Sequence, residues 1–219
     1  MSGERGVGRV VGFGDRAVLV ELASTRWRAP LVDGISQHLP QARVRGGLES
    51  VLVEWAEPAA GLVDRVREAL ASLGTSLTSF TSSASASRTV AIPVIYDGPD
   101  LRAAAAALSC TPAEVVAAHR AQRWSVAMMG FAPGFAYLVP EGPVMAAWDT
   151  VRRLDTPRER VASGSVAVAA GMSAVYPAAM PGGWLLLGHT TVRLFDPGES
   201  SHPTLLVPGD EVVFTEARP

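Results

Sequence analysis

Apolar positions along the chain follow two rhythms, and the first is short and blocky. Ala17-Val18-Leu19-Val20-Glu21-Leu22 and Val51-Leu52-Val53-Glu54-Trp55 read as strands, entered through the turns Gly12-Phe13-Gly14-Asp15 and Gly46-Gly47. The second rhythm is helical. Leu62, Val63, Val66, Ala69, Leu70 and Leu73 recur at i, i+3, i+4 spacing with Asp64, Arg65, Arg67 and Glu68 between them, and Gly74 closes the run. A further helix is predicted near Trp27 to Leu39, stopped by Pro40. Strand, helix, strand, helix predicts a small α+β layer with its helices on one face of an antiparallel sheet.

The pattern then breaks. Residues 74–87 read GTSLTSFTSSASAS, without a charge, and mark the expected domain boundary: an N-terminal domain at 1–80 and a second domain at 81–219. The second domain opens with a strand from Thr89 to Tyr96, whose Pro93 predicts an edge position or a bulge. After the turn Asp97-Gly98-Pro99-Asp100, Asp100 is placed to cap an Ala-rich helix from Leu101 to Leu108. Thr111-Pro112-Ala113-Glu114 is a capping box with Pro at the first helical position, predicting a second helix to about Gln122. From Trp124 on, short apolar runs (Val126 to Met129, Val166 to Ala169, Trp184 to Leu187, Val192 to Phe195, Leu205 to Val207, Val212 to Phe214) alternate with Gly and Pro turns, as in a compact barrel or sandwich.

Composition narrows the chemistry. The chain has 219 residues, 48% of them hydrophobic but only 6% aromatic, and a formal net charge of -2. A balanced charge without a basic patch excludes the usual nucleic-acid binder. All 19 basic residues are Arg, so a P-loop, Schiff-base chemistry and a Lys-dependent amidase triad are excluded. Cys110 is the only cysteine, which rules out an intrachain disulfide and a multi-thiolate zinc site. With no apolar signal region at the start and no span long enough for a bilayer, the expectation is a cytoplasmic chain without a membrane partner.

Three constellations stand out. Gly130-Phe131-Ala132-Pro133-Gly134-Phe135 sets a tight turn between aromatic rings, either a binding lip offering backbone N–H groups or a plain turn with two core rings. Leu154 to Val166 reads as a polar loop before a strand, where Arg158 suits bidentate capture of an acid, the alternative being a solvated loop with local ion pairs. Gly171 to Pro177, Pro181-Gly182-Gly183-Trp184 and Gly188-His189-Thr190 each set a Gly or Pro at a strand end, so that several loops could converge on one rim. Ser165 lies outside any G-x-S-x-G elbow, and spacing identifies no His or Asp partner for it. His119 lies toward the apolar face of its helix, and no pair of histidines has metal-ligand spacing, so no metal is expected in this chain.

The stretches GFAPGFAYL, DTPRERVASGSVAVAAG, VYP, PGGWLLLGHT, LFDP and PGDEVVF, with GDRAVLVEL earlier, resemble the family that includes the 5-oxoprolinase B subunit, allophanate hydrolase subunit 1 and the KipI sporulation-kinase inhibitor. The likeness covers nearly the whole chain. It implies an N-terminal α+β domain followed by a cyclophilin-like β-barrel, and a larger partner of the KipA or 5-oxoprolinase C subunit type. In 5-oxoprolinases it further implies a third subunit and ATP used by the complex to open 5-oxo-L-proline. The alternative activity it carries is non-catalytic inhibition of a sensor histidine kinase. Carried over position by position, the resemblance implies catalytic roles for His119, Arg158 and Ser165, and substrate-binding roles for Phe131, Pro133, Gly134, Phe135, Gly182, Gly183 and Thr190. The chain departs from the pattern where Met172 stands for Gln in the substrate-binding set and His189 for Arg in the catalytic set, and where Ser163 stands for Ala. These departures mark a divergent member, active as a hydrolase subunit only with its partners.

Overall fold

The structure, a computed structural model, describes residues 7–23, 27–73, 88–199 and 201–218. The Ser/Thr-rich stretch 74–87, and with it the expected boundary at 80/81, lies outside the described residues. The chain divides into two compact units, Met1–Ala86 and Ser87–Pro219.

In the first unit, β1 (Val7–Gly12), β2 (Ala17–Leu22), β3 (Arg43–Gly46) and β4 (Ser50–Glu54) form an antiparallel sheet of order β1-β2-β4-β3. Helices α1 (Arg28–His38) and α2 (Leu62–Leu73) bury Leu31, Ile35, Val66 and Leu70 with Val18, Val20, Val51 and Val53 of the central strands. The edge strands β1 and β3 escape the sequence pattern for a physical reason. An edge strand needs only one apolar side and guards its open rim with charge, here Arg9, Arg43 and Arg45, so its hydrophobic signal is faint.

In the second unit, β5 (Thr89–Val94), β6 (Arg123–Met129), β7 (Ala136–Glu141), β9 (Ser165–Ala169), β10 (Met172–Val175), β12 (Leu185–His189) and β13 (Glu211–Glu216) form one sheet of order β12-β9-β10-β7-β6-β13-β5. β8 (Arg158–Val161) and β11 (Met180–Gly182) pair separately. The pairing of β13 with β5 is parallel, and the sheet curls until β12 meets the end of β5. Four backbone hydrogen bonds span that seam: Ile95 and His189 exchange a pair at 2.9 Å, Gly98 N donates to Leu187 O at 3.0 Å, and Asp100 N donates to Leu186 O at 3.1 Å. The backbones approach so closely that a Cβ on Gly98 would lie 2.2 Å from Leu186 O, and one on Gly188 2.2 Å from Ile95 O. This is the expected α+β organisation, with a nearly closed barrel as its second part.

Helices α3 (Leu101–Ala107) and α4 (Pro112–Ala121) pack against the barrel core through Ala104, Ala105, Val115 and Ala118. The capping box on α4 is complete: Glu114 N donates to Thr111 Oγ1 at 3.3 Å, and Thr111 N donates to Glu114 Oε2 at 2.7 Å. Thr111→Ala is expected to lower the stability of this unit by about 1 kcal/mol in urea titration.

The structure corrects three expectations. Asp100 stands at the N-cap of α3 but makes no side-chain cap, because both its oxygens are committed elsewhere. Val192 to Phe195 and Leu205 to Val207 are not strands. One bridge, Phe195 to Thr204, joins them, and Leu194 and Leu206 are buried in the barrel core from irregular backbone broken by Pro197, Pro203 and Pro208. Residues 154–166 are more than a loop, since β8 lies within them.

Candidate functional site

Alternation along β9 decides which side chains leave the core. Val166 and Val168 belong to the barrel core, so Ser165, Ala167 and Ala169 face the other side of the sheet. Across β10, Ala174 opposes Ala167 and Met172 opposes Ala169; across β12, Leu186 opposes Ala167 and His189 opposes Ser165. Tyr176 follows β10 and donates its N–H to Ser165 O at 2.9 Å. The outer face therefore carries the row Tyr176, Ser165, His189 beside the small side chains of Ala167, Ala169 and Ala174, which are themselves buried.

The seam loop at 97–100 supplies acids to this face. His189 Nδ1 donates to Asp97 Oδ1 at 2.9 Å. Asp100 Oδ2 accepts from Leu186 N at 2.8 Å, and its Oδ1 accepts from Arg158 Nη2 at 2.8 Å. Arg158 Nη1 is buried without a partner, one of three such side-chain atoms among the described residues. Gly182 pairs with Arg158, and the Tyr176 hydroxyl seats so closely against it that a Cβ there would lie 2.2 Å from Oη. Burial raises the Tyr176 pKa, opposed by the backbone N–H of Trp184 donating to its oxygen and by the charges of Arg153 and Arg158.

An aromatic cluster adjoins the row. Phe135, 2% exposed, meets Phe131, Tyr137, Tyr176 and Trp184 with ring centroids 5.2, 5.1, 5.4 and 6.1 Å away, and the Arg153 guanidinium lies 5.7 Å over the Trp184 ring. Phe131 itself is 63% exposed and holds a left-handed φ of 69°. Gly134 at φ 80° packs against Phe195 and Leu194, which leaves no room for a side chain. The turn does not offer its N–H groups freely: those of Gly130, Ala132 and Phe135 are bonded within it.

Of the expected residues, Arg158, Ser165, Met172, Gly182 and His189 thus share the outer face, joined by Phe135 through Tyr176. Gly183 sits beside Pro157. Thr190 is buried next to Ser165, its N–H given to Gly164 O and its Oγ1 taking Val192 N, as a turn-former does. Pro133 and Phe131 are exposed at the tip of their turn.

His119 is not brought to this face. It is fully buried inside the barrel, stacked on Phe214 at 4.4 Å and ringed by Trp124 and Trp148. Ser173 donates to Ala167 O, so His119 Nε2–H donates to Ser173 Oγ at 2.9 Å and Nδ1 accepts from Tyr96 Oη at 2.9 Å. One neutral tautomer satisfies every group, and burial pushes the imidazole pKa down to about 3.

Asp97, Asp100, Tyr176 and Trp184 join the site without standing out as site residues in the sequence. Each adjoins a Gly or Pro turn, but turn chemistry alone explains such residues. Among the described residues no cluster of three or more His, Cys, Asp or Glu is placed to hold a metal, and no single helix is long and apolar enough to cross a membrane. The first unit has its own open cleft of about 580 Å³, lined by Arg16, Arg43, Arg45, Glu54 and Trp55. Two of its arginines are already near acids, Arg45 3.1 Å from Glu54 and Arg16 3.8 Å from Asp15. None of the expected site residues lies there.

Residues 9–206 match the family described as carboxyltransferase domain, subdomain C and D. The 5-oxoprolinase B subunit of Escherichia coli O157:H7 is 44% identical over 131 residues, which are 58% of this chain and 58% of that protein. The 5-oxoprolinase B subunit of Bacillus subtilis (strain 168) is 42% identical over 130 residues, 58% of this chain and 52% of that protein. The chain thus matches little more than half the length of these relatives. The crystal structure of TTHA0988 superposes with a TM-score of 0.71 at 30% identity, over 93% of this chain and 40% of that one. The Kluyveromyces lactis urea carboxylase superposes with a TM-score of 0.72 over all of this chain and 22% of that one; at 17% identity this speaks for the fold alone.

Proposed function

The chain belongs to the carboxyltransferase domain family, subdomain C and D, the family of the 5-oxoprolinase B subunit, and on that premise we propose that it is a subunit of a hydrolase that opens a small lactam or related amide. The observation that carries this reading is the outer face itself. The exposed His189–Asp97 pair beside Ser165 can hold an amide group, and the partly exposed Arg158 guanidinium on the same face suits a carboxylate on the same small molecule.

A five-membered lactam resists hydrolysis because its amide is resonance-stabilised and ring opening relieves little strain. ATP, by phosphorylating the carbonyl oxygen, would supply a leaving group. The donors on this face do not suit a triphosphate: the chain has no Lys, and Asp100 already takes one terminal nitrogen of Arg158, which leaves one terminal nitrogen, Nη1, without a partner. We therefore assign the nucleotide to partner subunits, a larger cyclophilin-like subunit and a third component, and give this chain the task of holding and orienting the lactam. The exposed Phe131 ring suits contact with such a partner.

The test is co-expression with the partner subunits, measuring glutamate and phosphate released from 5-oxoproline. Turnover is expected, and Arg158→Ala is expected to lower kcat/KM by about 100-fold. No turnover from a well-folded complex would remove 5-oxoproline as the substrate.

A further inference from the structure

Ser165, His189 and Asp97 come from three separate segments, and only closure of the barrel brings them together. Ser165 and His189 are direct partners in an antiparallel pair, which puts their Cβ atoms about 5 Å apart on one face. His189 in turn faces the seam loop, where Asp97 accepts its Nδ1–H at 2.9 Å. A carboxylate only accepts, so Nδ1 carries the proton of that bond, and in the neutral imidazole Nε2 is the acceptor. Ser165 Oγ makes no hydrogen bond among the described residues, yet it is not one of the fully enclosed polar atoms. A free hydroxyl thus stands beside an imidazole whose other nitrogen is oriented by an acid. Arg158, with Nη1 unpartnered, lies on the same face next to Tyr176, the residue that flanks Ser165 on the other side.

We propose that Ser165 is a nucleophile on the outer face of the barrel, with His189 as its general base, Asp97 as the group that orients the imidazole, and Arg158 as the cation facing the developing oxyanion. The ligand class is a small amide or activated ester with an accessible carbonyl. The inference rests on the reading of this face as a small-amide site.

Ser165 Oγ attacks the carbonyl carbon while its proton passes to His189 Nε2. Collapse of the tetrahedral adduct breaks the C–N bond, and His189 returns that proton to the departing nitrogen. The ester left on Ser165 is then cleaved by water, with His189 again taking and returning one proton. For an open-chain amide or an activated ester only water is consumed, so no oxidant, reductant or nucleotide enters the balance.

The test uses the full chain and a fluorophosphonate probe, followed by intact mass and peptide mapping. Ser165 is expected to carry the adduct, with labelling absent in Ser165→Ala, slowed about 100-fold in His189→Ala and about 10-fold in Asp97→Asn. The side chains of His189 and Asp97 are 44% and 59% exposed, so these two variants keep the fold, and unchanged thermal unfolding verifies it. An adduct elsewhere, no adduct, or labelling of His189→Ala at the parent rate would each overturn the proposal. The lactam assay is read separately: labelling without 5-oxoproline turnover keeps the nucleophile and rejects that substrate, and turnover that survives Ser165→Ala does the reverse.

Discussion

Gly188→Ala is expected to lower the stability of the barrel by about 3 kcal/mol, and Gly98→Ala by a similar amount. At Gly188 the new methyl would meet the Ile95 carbonyl oxygen at 2.2 Å and the Tyr96 Cα at 2.9 Å; at Gly98 it would meet the backbone of Leu186 and Leu187 at 2.2 and 2.3 Å. These neighbours are main chain, which has no rotamer to yield, so relief means parting the seam and stretching its four hydrogen bonds. A fall in melting temperature of about 10 °C is expected for a unit of this size. Gly183→Ala is the control, because its methyl would sit 3.5 Å from Pro157 in ordinary contact, and a change within about 0.5 kcal/mol is expected. Equal melting temperatures for the Gly188 and Gly183 variants would mean that the seam does not hold the barrel shut.

His119→Ala is expected to destabilise the second unit by about 4 kcal/mol. The change deletes a ring stacked on Phe214, takes the acceptor from the partly buried Tyr96 hydroxyl, and removes a donor from the buried Ser173 oxygen, which keeps its bond to Ala167 O. A second signature separates this strut from a mere cavity. The folded-state pKa of about 3 lies below the ordinary 6.5, so between those values the unfolded chain takes up a proton that the folded chain refuses. The contribution is fully present above about pH 6.5 and is lost as the pH falls toward 3, at roughly 1 kcal/mol per pH unit. His119→Gln retains a donor and an acceptor but cannot titrate. Urea titrations at pH 7, 5 and 4 should therefore show a flatter decline for this variant than for the parent, by about one proton; parallel curves would refute the buried neutral imidazole.

The parts of the fold legible in the sequence are those written in local chemistry. The α4 cap, the amphipathic run of α2 and the apolar blocks of β2, β4 and β13 each depend on residues adjacent in the chain. β1 and β3 are not legible because an edge strand needs little apolar signal, and Leu194 and Leu206 mislead because an apolar residue that plugs a barrel looks like one in a strand. The site divides in the same way. The Gly-Phe turn and Arg158 stand out by composition, whereas the meeting of Ser165 with His189 and Asp97 depends on register across a seam that spacing does not encode. Asp100 is the clearest case: an N-cap by position, it serves Leu186 N and Arg158 because the seam passes its side chain before the helix can use it.

The parallel pairing of β5 with β13, Thr89 with Glu211 through Val94 with Glu216, has a consequence in time. At about 5–20 residues per second on the ribosome, β5 emerges on the order of ten seconds before the strand that completes it. For that interval it is an unpaired edge in a crowded solution, the situation that invites intermolecular pairing. Pro93, the next-to-last residue of β5, has no N–H to offer a stranger, and Thr89, Ala91 and Pro93 remain exposed even in the finished barrel. The same proline that weakens β5 as a strand thus guards the nascent chain until its own last strand arrives.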